Sequence, residues 1–142
     1  MDYSDHMAIQ SHLARYCMLV DTGAPAQIAD LFWDDARLEF GGEYSGKAAI
    51  LGCFEAWEKD MRDPIEGLRH LLHLPLIEID GDSATAKSYA DADGHSRRSG
   101  KPIRNRAMYV DVLEKREGAW KFKHRRIVWM RGLDGAALPA GH

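Results

Sequence analysis

Long apolar runs are missing from this chain. No stretch approaches the ~20 consecutive apolar residues of a membrane span, so no membrane association is expected. The opening residues, Met1-Asp2-Tyr3-Ser4-Asp5, are acidic and lack the apolar core of a secretion signal, which points to a cytoplasmic protein. Cysteine is scarce. Cys17 and Cys53 lie among apolar neighbours in helix-like segments and read as buried free thiols rather than a disulfide. Positive charge is not in excess: 19 Lys and Arg face 22 Asp and Glu, a net charge of -3 that argues against a general nucleic-acid binder. There is no Gly-rich phosphate loop of the G-x-G-x-x-G or G-x-x-x-x-G-K kind, and no convergent set of His, Cys and carboxylate ligands. Neither a metal nor another cofactor is therefore expected. Internal repeats and low-complexity linkers are also lacking.

What is present is a chain of 142 residues, 45% hydrophobic, enough for one domain with a real core. A single domain over 1–142 is expected, with its core at about 5–131 and a flexible Gly- and Ala-rich tail at 132–142. Ile9, Leu13, Tyr16, Cys17 and Val20 recur at helical spacing and predict an amphipathic helix over 5–21. Gly23 and Pro25 end it and start a short second helix reaching about Trp33. Arg37-Leu38-Glu39-Phe40 suggests a short strand. Ile50, Leu51, Phe54, Trp57 and Met61 predict a third helix over about 47–61. Four strands should follow, at about 69–80, 83–92, 103–114 and 120–131, with Pro75 demanding a bulge or an edge in the first. In the last, alternation puts Trp120, Phe122, His124, Arg126, Val128 and Met130 on one face. Helices followed by strands predict an α+β fold: a cone-shaped barrel of a strongly curved, mostly antiparallel sheet whose hydrophobic pocket is closed by three helices of the N-terminal half. Such a pocket suits a small hydrophobic ligand.

Several residues break the local rules of these elements. Asp21 ends the first helix, where the macrodipole disfavours a carboxylate; it is either functional or a solvated loop residue. His70 opens an apolar run where a strand core prefers a β-branched residue; it is either functional or a core histidine with a satisfied hydrogen bond. His73, three residues on, points to the opposite face of a regular strand, unless Pro75 forces a bulge that turns it toward a substrate. Tyr16 can donate a hydrogen bond to a carbonyl or leaving group, or simply pack. Arg126, on the apolar face of the last strand, is costly unless paired; it either holds an anionic substrate group or forms a structural ion pair, and His124 is a weaker case of the same kind. Trp33, Phe54, Trp57 and Trp129 read as core or pocket wall. Arg97, Arg98, Lys101, Arg104 and Arg106 surround a hairpin loop, by default a solvated rim. The register of Asp91 and Asp93 is left open.

The order of elements, with Leu19-Val20-Asp21, Ile28-Ala29-Asp30-Leu31-Phe32-Trp33-Asp34-Asp35-Ala36, Tyr44-Ser45-Gly46-Lys47, Arg69-His70 and Ile77-Glu78-Ile79-Asp80-Gly81-Asp82-Ser83-Ala84, resembles the SnoaL-like branch of the nuclear transport factor 2-like superfamily. Tyr109-Val110-Asp111 through Gly118-Ala119-Trp120 completes a match over about 5–130. Within it, the chain is most similar to cofactor-free lyases of the scytalone dehydratase, hexachlorocyclohexane dehydrochlorinase and bile-acid 7α-dehydratase type. The resemblance implies that Asp21 and His70 form a catalytic pair inside the cone. A carboxylate that holds a histidine in one tautomer makes a general base. Tyr16, five residues before Asp21, and the His70, His73, Pro75 run match the bile-acid enzyme. The second pocket histidine of scytalone dehydratase has no counterpart, since the strand reads Lys87-Ser88-Tyr89-Ala90.

The reading is a cofactor-independent dehydratase or other β-eliminating lyase acting on a small hydrophobic substrate, cyclic or not. His70, Asp21 and Tyr16 would be catalytic; Arg126, His73, Trp33, Phe54 and Trp57 would bind substrate. The alternatives are a double-bond isomerase or polyketide cyclase-like enzyme using the same base, and a non-catalytic binding or accessory protein. A homo-oligomer, trimer or dimer, is expected on an outer sheet face carrying Ile127 and Trp129.

Overall fold

Helix α1, Ser4–Thr22, forms because Ile9, Leu13, Tyr16, Cys17 and Val20 make one apolar stripe, and that stripe is buried. The computed structural model describes residues 2–130; the expected tail at 132–142 lies outside them. Gly23 stops α1, and Pro25 opens the short α2, Pro25–Ala29, where a missing N–H costs nothing. The chain becomes extended earlier than expected. Strand β1 is Phe32–Glu39, so Trp33 lies in a strand and not at a helix end. Strand β2, Glu43–Ser45, pairs antiparallel with β1. Helix α3, Lys47–Trp57, then gives way to one π-helical turn over Glu58–Arg62, closed by the Asp63 N–H on the Glu58 carbonyl at 2.8 Å.

The remaining strands are β3 (Ile65–Leu72), β4 (Leu76–Asp80), β5 (Ser83–Ser96), β6 (Pro102–Arg116) and β7 (Ala119–Met130). Pro75 divides the expected first strand into β3 and β4, both paired antiparallel with β5. The sheet is open and runs β2-β1-β7-β6-β5-β3, with β4 also on β5. All its pairs are antiparallel except β1 with β7. Register breaks at Phe32/Arg37, Glu66/Arg69 and Val112/Leu113 bend it around the helices. Its concave face packs on α1, α2 and α3 through Phe32, Leu38, Leu113, Phe122 and Ile127. No helix among the described residues is long and apolar enough to cross a membrane.

One bulge overturns the expected face of β7. Val112 pairs with His124 but Leu113 pairs with Phe122, so Lys123 is an extra residue. Trp120 and Phe122 point inward before it, and Arg125, Ile127 and Trp129 do so after it. Arg126 and Val128 are exposed on the outer face. Ile127 and Trp129 therefore cannot form the outer apolar face on which association was expected. That face instead carries the row Tyr89, Met108 and Val128.

Candidate functional site

The concave face is hollow because β5 contributes almost no side-chain volume to it. Its inward positions are Ala84, Ala86, Ser88, Ala90, Ala92 and Gly94. Opposite Ala90 and Ala92 the space stays open and forms a narrow chamber. Tyr16 and Val20 of α1, Phe54 and Trp57 of α3, Phe40, Ala107, Tyr109, Ile127 and Trp129 give it apolar walls. His70, Asp91 and Asn105 also reach its lining.

Strand β3 carries His70 across from Ala92 and brings it against the end of α1. The His70 Nδ1 lies 2.6 Å from Asp21 Oδ1. The His70 backbone N–H also donates to the Asp21 carboxylate, at 3.0 and 3.1 Å to the two oxygens. Both side chains are about 15% exposed, enough to meet a small ligand but little bulk water. The carboxylate accepts the Nδ1–H, so the imidazole is held with Nε2 as its proton acceptor. The Trp57 ring lies 6.5 Å from the His70 ring, centre to centre, tilted by 53°.

Behind this wall, Arg125 and Asp111 form a fully buried bidentate ion pair, with bonds of 2.7 and 2.9 Å. The guanidinium lies 4.1 Å from the ring centres of Tyr16 and Tyr109 and 4.3 Å from that of Phe122. It fixes the two tyrosines that line the chamber. Burial raises both phenols well above their usual range, so they stand as neutral hydrogen-bond donors. Burial also pushes the Cys17 thiol up to about 11 and raises Cys53, which removes thiolate chemistry near neutral pH.

Of the residues singled out from sequence, Asp21, His70, Tyr16, Phe54, Trp57 and Trp129 converge here, and Asp91 touches the lining. The others do not. Arg126 lies on the exposed outer face, beside a shallow groove with Glu39 and Glu43. His73 follows β3 on the outer side, where its Nε2 pairs with Asp91 at 2.8 Å and both side chains are about half exposed. Trp33 sits at the far end of β1, donating to the Glu114 carbonyl at 2.8 Å beneath Arg116 and Lys121. His124 pairs with Glu39, and Asp93 with Arg69. Asn105, Tyr109 and the Arg125–Asp111 pair escaped the sequence reading. Alternation along β6 would have found the first two and Asp111, because Asn105, Ala107, Tyr109, Asp111 and Leu113 share one phase. Arg125 had no such signal, since the bulge reverses its phase.

A bent sheet wrapped by N-terminal helices around an apolar chamber is the architecture of the nuclear transport factor 2-like class. The chain belongs to the SnoaL-like domain family, whose profile matches residues 1–126. No functionally curated protein matches the sequence. Among solved structures, an Asp→Asn variant of a protein of unknown function from Mycobacterium tuberculosis is 26% identical. The match covers 99% of this chain and 85% of that one, with a TM-score of 0.81. A protein provisionally named scytalone dehydratase from Novosphingobium aromaticivorans shares the fold at 20% identity and a TM-score of 0.82, over 96% of this chain and 90% of that one. A type 2 hexachlorocyclohexane dehydrochlorinase does so at 21% identity and a TM-score of 0.73, over 98% and 96%.

Proposed function

We propose that this protein is a lyase, a dehydratase or related β-eliminating enzyme, that acts without a cofactor on a small, largely hydrophobic substrate. The carrying observation is the 2.6 Å contact between His70 Nδ1 and Asp21 inside an apolar chamber. His70 Nε2 removes a proton from a carbon next to an activating group such as a carbonyl. The C–H electron pair becomes the new double bond as the C–O bond to the neighbouring carbon breaks. The departing hydroxyl takes a proton and leaves as water, and His70 returns to its neutral form. Asp21 stabilises the imidazolium between these steps. Tyr16, Tyr109 and Asn105 line the same chamber and supply neutral donors for the developing oxyanion or the leaving oxygen. The likeness to dehydratase and dehydrochlorinase folds is consistent with this chemistry.

The test is a panel of small cyclic β-hydroxy ketones, with formation of the conjugated enone followed by absorbance and exchange of the α-proton followed in deuterated water. Enone formation that His70→Gln abolishes supports the lyase. Double-bond migration without loss of water would instead identify an isomerase using the same base. Neither turnover nor exchange with any member, in a folded protein, would favour a binding role.

A further inference from the structure

No residue of the π-helical turn after α3 is fully buried. Its last residue, Arg62, reaches across to the end of α1. Arg62 Nη1 donates to the Gly23 carbonyl at 2.7 Å and to the Val20 carbonyl at 3.3 Å. Those two carbonyls flank Asp21. Arg62 Nη2 donates to the Glu58 carboxylate one turn earlier. The guanidinium also lies 5.6 Å from the centre of the Trp57 ring, the same ring that packs beside His70. The Arg62 side chain is 14% exposed, so these contacts are shielded from water.

Each contact has a local cause. In an α-helix a residue five positions on is rotated about 140° around the axis, too far to lie over Trp57. The π-turn, with its bond from Asp63 N–H to Glu58 C=O, takes up that excess and turns Arg62 back over Trp57 and toward α1. On the other side, Gly23 leaves α1 so closely that a Cβ there would sit 2.8 Å from the Leu19 carbonyl oxygen. The tight exit brings the Val20 and Gly23 carbonyls within reach of one guanidinium. A helix C-terminus is also where a cation is stabilised and an unaided carboxylate is not.

We propose that Arg62 is a positioning residue for the Asp21–His70 pair, clamping the backbone on both sides of Asp21 and bracing Trp57 against the imidazole. This rests on the reading of that pair as the general base. The effect runs through geometry: the Nδ1–H bond requires Asp21 and His70 to meet from two separate elements, and Arg62 ties the Asp21 end to the segment that carries Trp57.

The test needs no substrate. Nitrogen-15 spectra of the imidazoles, taken at about pH 8.5 where a histidine of ordinary pKa near 6.5 is neutral, report the tautomer of His70 and the exchange rate of its Nδ1 proton, assigned with His70→Gln. The intact protein should show the Nδ1–H tautomer. Arg62→Ala should speed exchange of that proton at least about 10-fold and mix the tautomers. Arg62→Lys, which keeps the charge but has a single nitrogen to serve both carbonyls and Glu58 and no planar group to lie over Trp57, should fall between. If Arg62→Ala does not fold, Arg62→Lys decides alone. Wild-type exchange in a folded Arg62→Ala, or in Arg62→Lys when it stands alone, would overturn the proposal and leave Arg62 as a helix cap, whatever the melting temperature. An intact protein without the Nδ1–H tautomer would instead refute the pair itself.

Discussion

Replacing Arg125 with Met should cost about 3–5 kcal/mol of folding stability, the usual penalty for removing one partner of a buried ion pair. Arg125 is 0% exposed and Asp111 is 1% exposed, and two charge-assisted bonds of 2.7 and 2.9 Å join them. Met removes the guanidinium that lies over the Tyr16, Tyr109 and Phe122 rings, but its apolar side chain fills much of the same space. The larger cost is the stranded Asp111 carboxylate. Against a total stability of about 5–15 kcal/mol, that loss leaves little reserve. The deficit should depend on pH with a defined sign. Burial already raises the Asp111 pKa above its usual value despite the neighbouring guanidinium. A raised folded value means that stability is full below the unfolded carboxyl pKa and is lost as pH rises through the folded one. Removing Arg125 lifts the folded value further, so the variant should lose more at about pH 8 than at about pH 5. Urea unfolding at the two pH values measures this. The double variant Arg125→Met with Asp111→Leu should recover most of the loss, because no charge remains buried. A single variant weakened by less than about 1 kcal/mol at both pH values, or a double variant no better than the single, would refute the reasoning.

His70→Gln should lower turnover of an accepted substrate by about 10²–10⁴-fold, while His73→Gln, altering an exposed pair with Asp91, should be nearly silent. Equal losses in steady-state assays would contradict the placement of the two faces. Asp21→Asn should also impair turnover, because an amide cannot stabilise the imidazolium; thermal melts would check that it stays folded. Burial pushes buried His12 down to about 4 from 6.5, so its contribution is full above pH 6.5 and is lost as pH falls toward 4. That loss amounts to about 3 kcal/mol at ~1.4 kcal/mol per unit. His12→Gln, which keeps a donor for the Leu31 carbonyl, should flatten the acid slope in denaturant titrations; an unchanged slope would show that another group controls it. Ala92→Leu fills the chamber beside His70 and should weaken substrate binding at least about 10-fold without lowering the melting temperature; unaffected KM would place the substrate elsewhere.

The helical stripe of α1, the halt at Gly23 and Pro25, and the succession of helices and then strands were legible because each depends on spacing and turn chemistry within a few residues. The pocket was expected from the order of elements, and its cause lay in the sequence as well. Small residues at every second position from Ala84 to Gly94 leave room on one face of a strand whatever packs against it. Asp21 and His70 were visible as residues out of keeping with their elements, and the family resemblance joined them. Their contact, across 49 positions, was decided by how β3 meets the end of α1. The fate of Arg125 and Arg126 belonged wholly to the tertiary structure. A strand side chain faces in or out by parity, and one extra residue at Lys123 inverts parity for everything after it. Regular alternation put Arg126, Val128 and Met130 inside. The bulge put Arg125, Ile127 and Trp129 there instead, because its position is set by pairing with β6 rather than by anything within β7. Arg62 is the same kind of case: its reach to α1 depends on a π-turn whose extra residue matters only through the elements it brings together.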